Sequence, residues 1–446
     1  MRAKVLSFSI LVALLFTLLV PTAAAAAYPG APSVRATSAL FLNIDSGAVL
    51  LSQNTDAEID PGSLVKLMTG VLVVETVKDL EGTVTVSETA IQGLDGLTTS
   101  SLQPGEEMTA RDLLYCALLY SSADACNALA EHAAGSIDQF VKMMNEKAKA
   151  LGMEHTVFLN THGGPAEGQV STVDDLQKLA LYVLQNKTLT NICDTPYKTI
   201  LPTNKNDKKR YYYNKNYSII SAENRKVDAY YNKYATGLMA SDSKEQGYSL
   251  ITKVAKDDLN MLLIIVGGER IADKEGITSY LDAKALSEWC FNNFQYSPLI
   301  KEKEPVAEVG VKLSSTVDKM TVVAGSDFGG IIPIGITADQ MERRVEVEDP
   351  LRAPLTKGEE VGRLIFSYEG VDYGSVALVS QRDANLSWLL VVFDVIVTFF
   401  KSPIFLFILV IILVLSILYF FFFVRHNRRL RKKRSQKIQY LKKHRR

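Results

Sequence analysis

An α/β domain, a smaller all-β domain and one membrane-spanning helix are what this sequence predicts, and three observations carry that reading. Strand-like apolar runs at Ser38–Leu42, Tyr248–Val254 and Asn260–Gly267 bracket a stretch of helical periodicity. From Val306 to Val379 short alternating segments follow one another between Gly and Pro, with no helical period. Pro403 to Val424 contains no charged residue and is long enough to cross a bilayer.

The N-terminus has Arg2 and Lys4, an apolar run from Val5 to Val20 and a small-residue stretch from Ala23 to Ala27, the pattern of a cleaved export signal over residues 1–27. Ser38–Leu42 and Ala48–Leu51, joined through Asp45-Ser46-Gly47, predict an antiparallel hairpin. Pro61 and Gly62 then punctuate the chain. From Ser63 onward Leu64, Leu67, Met68, Val71, Leu72 and Val74 suit a largely buried helix, with Ser63 at its start and Lys66 on the same face. A hydroxyl and an amine at that spacing can form a nucleophile and base pair, provided the lysine is partly neutral. Ser-x-x-Lys arises by chance about once or twice in a chain this long, and Ser241 to Lys244 is a second copy, so context has to distinguish them.

Ala110–Ala134, Ile137–Leu151 and Val173–Leu184 read as helices, with Gly135 and Gly152 as stops and Asp174 and Asp175 in a favourable first turn. Pro196 to Tyr234, crowded with Tyr, Asn and Lys, reads as a solvated loop with short strands, or more sharply as a carbohydrate-contacting surface. Tyr248–Val254 and Asn260–Gly267 form a strand pair across Lys256-Asp257-Asp258, and Ser279–Phe294 a closing helix. Leu386 to Phe400 is apolar apart from Asp394 and a few hydroxyls. It reads as a helix lying at the membrane surface, ended by Lys401-Ser402-Pro403.

The formal net charge of zero hides an asymmetry. Twelve of the 49 basic residues lie between Arg425 and Arg446 with no acidic residue among them, and two more lie in the leader. The exported part therefore carries 35 basic against 49 acidic residues, a net charge of −14. By the positive-inside rule the tail is cytoplasmic, where it would lie against anionic lipid; nucleic acid is not an expected partner. Cys116, Cys126, Cys193 and Cys290 could pair in three ways in an exported protein. No Cys-x-x-Cys or His cluster points to a metal, and no cofactor is expected. The expected division is a signal over 1–27, the α/β domain over 28–299, the β-rich domain over 300–380, a juxtamembrane segment over 381–401, the span over 402–424 and the basic tail over 425–446.

Particular stretches resemble the low-molecular-mass penicillin-binding proteins, the serine D-alanyl-D-alanine carboxypeptidases. They are S-A-L-F-L-N-I-D-S-G from Ser38, D-P-G-S-L-V-K-L-M-T from Asp60, P-G-E-E-M-T-A-R-D-L from Pro104, D-A-C-N-A-L-A-E-H-A-A-G from Asp124, Met144–Leu151 and N-T-H-G from Asn160. In the second domain Ala353–Leu364 and Gly374–Leu378 look like the family's β-rich module. The resemblance implies a serine β-lactamase-like, penicillin-binding fold, with Ser63 as nucleophile and Lys66 as its base. It implies Ser121 as the proton relay of the family's Ser-x-Asn motif, in which Asn has become Ala123. It also implies a Lys-Thr-Gly strand. Counting back from Gly247-Tyr248 places that triplet at Met239-Ala240-Ser241 rather than at the tempting Ala235-Thr236-Gly237, and puts Asp242 at the family's second oxyanion amide. Met239 and Ala240 offer neither the cation nor the hydroxyl that receives a peptide's terminal carboxylate.

Two functions follow from the resemblance. One is a D,D-carboxypeptidase acting on peptidoglycan stem peptides through an acyl-enzyme on Ser63, open to β-lactams. The other is a catalytically impaired homologue that binds peptidoglycan or a cell-wall partner. Either is expected in the cell membrane, with its folded domains outside and its tail inside.

Overall fold

The computed structural model describes residues 30–220, 229–243, 247–271 and 276–443. The expected export signal and Lys244 lie outside the described residues. The first of two compact units comprises residues up to Lys301 together with Asp327–Arg344 and Ile365–Ser375.

Its frame is a five-stranded sheet. The hairpin expected near the N-terminus is β1 (Ser38–Asn43) and β2 (Val49–Gln53), the first buried at every position. A 3-10 turn over Gly62–Val65 leads into α1 (Lys66–Thr76), so Ser63 sits in the turn rather than in the helix proper. A short pair, β3 (Thr83–Thr85) and β4 (Glu107–Thr109), precedes α2 (Ala110–Leu114). Then come α3 (Ala123–Ala134), α4 (Ile137–Ala150), α5 (Val173–Leu184), α6 (Lys187–Cys193) and the strand pair β5 (Tyr197–Ile200) and β6 (Arg210–Tyr213). Strands β7 (Ala235–Ser243), β8 (Gly247–Lys256) and β9 (Leu259–Gly268) complete the sheet in the order β2-β1-β9-β8-β7. A two-residue pair, β10 (Arg270–Ile271) and β11 (Gly276–Ile277), leads into α7 (Thr278–Asn293), which packs on β8 and β9.

The apolar runs in β1 and β9 are continuous because both sheet faces are covered. Leu40, Leu42, Leu262, Ile264 and Val266 join the core that holds Leu67, Met68, Leu113, Phe140 and Leu179 of the helical layer. Gly237 lets β7 approach α6, since a Cβ there would lie 2.4 Å from the Cys193 carbonyl oxygen.

The helix expected over Ala110–Ala134 is interrupted. Tyr115–Leu119 widens into a π turn, Ser121 takes a left-handed φ of 67°, and Ser122 is extended before α3 begins. Apolar periodicity runs through this break, so sequence alone showed none of it. A buried carboxylate holds it open: Asp124 accepts from the backbone amides of Ser100 at 2.9 Å, Leu102 at 3.0 Å and Ala125 at 2.9 Å, and from the Ser122 hydroxyl.

Phe294 ends α7 and begins β12 (Phe294–Ile300), which pairs with β15 (Phe328–Pro333) in the same unit; β13 (Pro305–Lys312) and β14 (Lys319–Ala324) lie between them in sequence. From β12 the chain is all β apart from one 3-10 turn, through β16 (Glu342–Val347), β17 (Leu351–Arg352), β18 (Glu360–Tyr368) and β19 (Val371–Ser380). In the second unit (Glu302–Ser326, Val345–Leu364, Val376–Arg446) β13 pairs antiparallel with β14 and parallel with β17, and β14 pairs with the end of β19. Two helices follow, α8 (Trp388–Lys401) and α9 (Pro403–Lys443), separated at Ser402. Within α9, Phe407–Arg431 is a 25-residue stretch with large apolar side chains exposed, and it fits a membrane anchor. All four cysteines are buried and free, which removes the three pairings the sequence allows.

The Asp124 network generates a stability prediction. Asp124→Ala leaves three buried amides without their charged acceptor, and should lower unfolding free energy by roughly 3–5 kcal/mol. Denaturant unfolding measures it, and a loss below about 1 kcal/mol would show that Asp124 does not hold the break.

Candidate active site

The turn over Gly62–Val65 and the break before α3 bring three side chains together. Lys66 Nζ donates to Ser63 Oγ at 3.1 Å, and Ser121 Oγ donates to Ser63 Oγ at 3.2 Å. The left-handed backbone at Ser121 is what turns its hydroxyl out of the helical run and onto Ser63. Such a conformation costs a non-glycine residue of order 1 kcal/mol and persists where its surroundings impose it.

Lys66 is 3% exposed, and it also donates to the carbonyl oxygen of His162. Burial lowers its pKa from the usual lysine range to about 8, outweighing the electrostatic influence of Cys126, which acts the other way. His162 is lowered to about 4, first by burial and then by the positive charge of Lys66, so its imidazole stays neutral. The amine is thus flanked by two oxygen acceptors in a site that disfavours its charge. It can take a hydroxyl proton near neutral pH more readily than an exposed lysine.

The loop that supplies the His162 carbonyl is folded on Asn160, whose Oδ1 accepts from the amides of His162 at 3.2 Å and Gly163 at 2.6 Å. It is fastened to α1 by Thr69 Oγ1, which donates to the Thr161 carbonyl at 2.5 Å. Gly163 has φ +75°, and a Cβ there would lie 1.7 Å from the Gly62 carbonyl oxygen. Asn160–Gly163 is one of the segments that carry the family resemblance, which by itself assigns the loop no role. Its Asn-x-x-Gly turn chemistry was the available signal.

A cavity of about 460 Å³ is lined by Ser63, Lys66, Ser121, Ala123 and Asp242, with segments 95–98 and 162–165. Met239, Ala240 and Ser241 do not line it. Met239 is buried in the core, Ala240 is buried, and Ser241 Oγ accepts from the backbone amide of Ser63 at 3.1 Å. Ser241 lies in strand β7, paired with Ser249. The Asp242 carboxylate is 4.0 Å from the Arg270 guanidinium, whose Nε donates to the Tyr248 hydroxyl at 3.0 Å. A larger cavity of about 670 Å³ near Asp60, Tyr248, Gly267 and Arg270 holds no nucleophile with a base, so chemistry favours the smaller one. Among the described residues no group of His, Cys, Asp and Glu side chains could hold a metal ion.

Residues 24–269 match the peptidase S11 family, described as D-alanyl-D-alanine carboxypeptidase, and residues 294–385 match the C-terminal domain of penicillin-binding protein 5. D-alanyl-D-alanine carboxypeptidase DacC of Escherichia coli is 31% identical over 79% of this chain and 85% of its own length. DacF of Bacillus subtilis, of the same name, is 28% identical over 78% of this chain and 85% of its own. Penicillin-binding protein 5 from Haemophilus influenzae superposes with a TM-score of 0.65 at 22% identity, covering 79% of this chain and 98% of that one, a likeness of fold.

The contact of Gly163 with Gly62 generates a prediction. Gly163→Ala forces backbone apart beside Ser63 and demands a left-handed alanine, so it should cost about 2–4 kcal/mol of stability. Thermal unfolding reads the loss, and a variant within about 0.5 kcal/mol of the parent would contradict the close approach.

Proposed function

The chain belongs to the D-alanyl-D-alanine carboxypeptidase family, and from that premise we propose that it cleaves the terminal D-alanine from peptidoglycan stem peptides through an acyl-enzyme on Ser63. The observation that carries this assignment is the 3.1 Å contact between Ser63 Oγ and the buried Lys66 amine. Neutral Lys66 takes the Ser63 proton as Oγ bonds to the carbonyl carbon between the two alanines. The oxygen of that carbonyl becomes negative within reach of the Ser63 amide. The carbon–nitrogen bond then breaks, and the proton passes from Lys66 through the Ser121 hydroxyl to the departing amine. Water attacks the Ser63 ester in turn, releasing the shortened peptide and restoring the serine. A β-lactam follows the first half of this path, its ring amide giving the same ester.

On the substrate side our reading keeps Ala123, Met239, Ala240, Ser241 and Asp242 at the positions of the family's second and third motifs. The proximity of Ser241 to Ser63 supports that register. A terminal carboxylate would then meet an aspartate and no lysine. Forfeiting one partner of a desolvated charge pair costs about 2–5 kcal/mol. A second reading, a homologue that binds peptidoglycan and turns it over slowly, draws its support from the burial of Met239 and Ala240 away from the cavity. We further propose that α9 spans the membrane with the folded units outside, that α8 lies at the outer surface, and that the basic tail meets anionic lipid on the inside.

Fluorescent penicillin should label the parent and fail to label Ser63→Ala; undiminished label in that variant would remove Ser63 from the mechanism. Because only the neutral amine accepts a proton, acylation should rise with pH and level off above the Lys66 value of about 8. Lys66→Arg, charged throughout, should slow it by about 10²–10⁴-fold. A flat profile from about pH 6 to 10 would assign the base elsewhere. For topology, protease outside intact cells should digest the folded units and spare a tag fused after Arg446. Loss of that tag without lysis would reverse the orientation.

A further inference from the structure

We propose that the Ser241 hydroxyl is a lock on the nucleophile's own amide: it occupies the Ser63 N–H, and a substrate carbonyl has to displace it before an oxyanion can form there. This inference rests on the acyl-enzyme reading above and identifies the residue that limits it.

When a serine hydroxyl attacks a carbonyl, the developing oxyanion lies beside the serine's own backbone amide, and that N–H is worth most when it is free and already aimed. Here it is not free. Ser63 N donates to Ser241 Oγ at 3.1 Å, within the normal range for such a bond. The acceptor is well held. Ser241 is 4% exposed, and its backbone is fixed by the β7–β8 ladder, where Ala240 faces Leu250, Ser241 faces Ser249 and Asp242 faces Tyr248. The hydroxyl can leave the amide only by rotating about its own χ1 or by moving the strand with it.

The serine already has what it needs on its other side. Its Oγ receives bonds from Lys66 Nζ and Ser121 Oγ, so the lock does not act on the nucleophile's base or relay. It acts on the electrophile's side alone. A side-chain oxygen in this place imitates the oxygen of a bound carbonyl and satisfies a donor that would otherwise be unpaired, which stabilises the empty site and competes with the filled one. A residue without a hydroxyl at 241 leaves the same amide open.

The experiment uses the full chain in detergent micelles, as parent, Ser241→Ala and Ser241→Thr. The second-order rate of Ser63 acylation is read with a fluorescent penicillin, and the Ser63 amide by hydrogen exchange. The lock requires Ser241→Ala to acylate about tenfold faster than the parent, Ser241→Thr to remain within about threefold of it, and the Ser63 amide to exchange faster in the alanine variant only. An alanine variant that acylates at the parental rate overturns the lock. A slower one also overturns it, since the hydroxyl would then be donating to the oxyanion. Should no variant acylate, the carboxypeptidase reading falls. In that case exchange decides the lock separately: faster exchange in Ser241→Ala supports the contact, and unchanged exchange overturns it. A Ser241→Ala variant whose melting temperature drops is judged on the exchange pattern, because loss of fold would raise exchange throughout the sheet and not at Ser63 alone.

Discussion

The proposed chemistry of this protein depends on keeping one amine out of water. Lys66 follows a 3-10 turn into a helix whose neighbours are almost all apolar, and desolvation there outweighs every nearby charge in setting its protonation. Such burial is tolerable only because the ammonium finds the Ser63 hydroxyl and the His162 carbonyl. Those two acceptors also fix its direction. The same burial that costs stability therefore aims the lysine and, in the proposed mechanism, makes it a usable base.

The sheet and helices are arranged to make that burial possible. Both faces of β1 and β9 are covered, so the sheet can support a helical layer that contains α1 within it and not on its outside. Thr69, one turn after Lys66, fastens the loop at Thr161, and Gly163 lets that loop touch the backbone of Gly62. From the opposite side the Asp124 network holds the break between α2 and α3, which places Ser121 at the nucleophile. Neither approach involves an ion pair with Lys66. Each acts on the backbone, the first through a close approach of Gly163 to Gly62 and the second through a buried carboxylate that gathers backbone amides.

This explains which parts of the site were legible. The meeting of Ser63 and Lys66 was readable because a spacing of three residues puts a hydroxyl and an amine on one face of a helical turn. β1 and β9 were readable because burial on both faces leaves a continuous apolar run. The acceptor for Lys66 was not, since any residue's carbonyl could serve and His162 contributes none of its own chemistry to that bond. The break before α3 was hidden because Leu113 to Leu119 keep an apolar pattern that a regular helix would also show. β7 mixes small and polar residues, and its ladder with β8 is what makes it a strand, so only the resemblance and not its own residue pattern pointed to one at Ser241. β12 was missed where Pro298 interrupts the pattern, at the irregularity in its pairing with β15.

The two halves of the site are consequently separable in physical terms. Ser63, Lys66, Ser121 and the 160–163 loop form a unit whose side-chain hydrogen bonds close on one another, and β7 adds to it the one bond from the Ser63 amide to Ser241. β7 faces that unit with Ser241 on the Ser63 amide, Asp242 in the cavity wall and Met239 turned into the core. A strand with a lysine at 239 would have to keep a long charged side chain out of the apolar layer that Met239 now fills, while methionine there adds packing and no charge. With residue 239 at the position of the family's lysine, as proposed above, what the strand gains in burial it forfeits in recognition of an anion. Under the proposed mechanism and register, the geometry of Ser63, Lys66 and Ser121 can therefore stay intact while the binding of a terminal carboxylate weakens, because the hydrogen bonds that join those three side chains are not made by Met239.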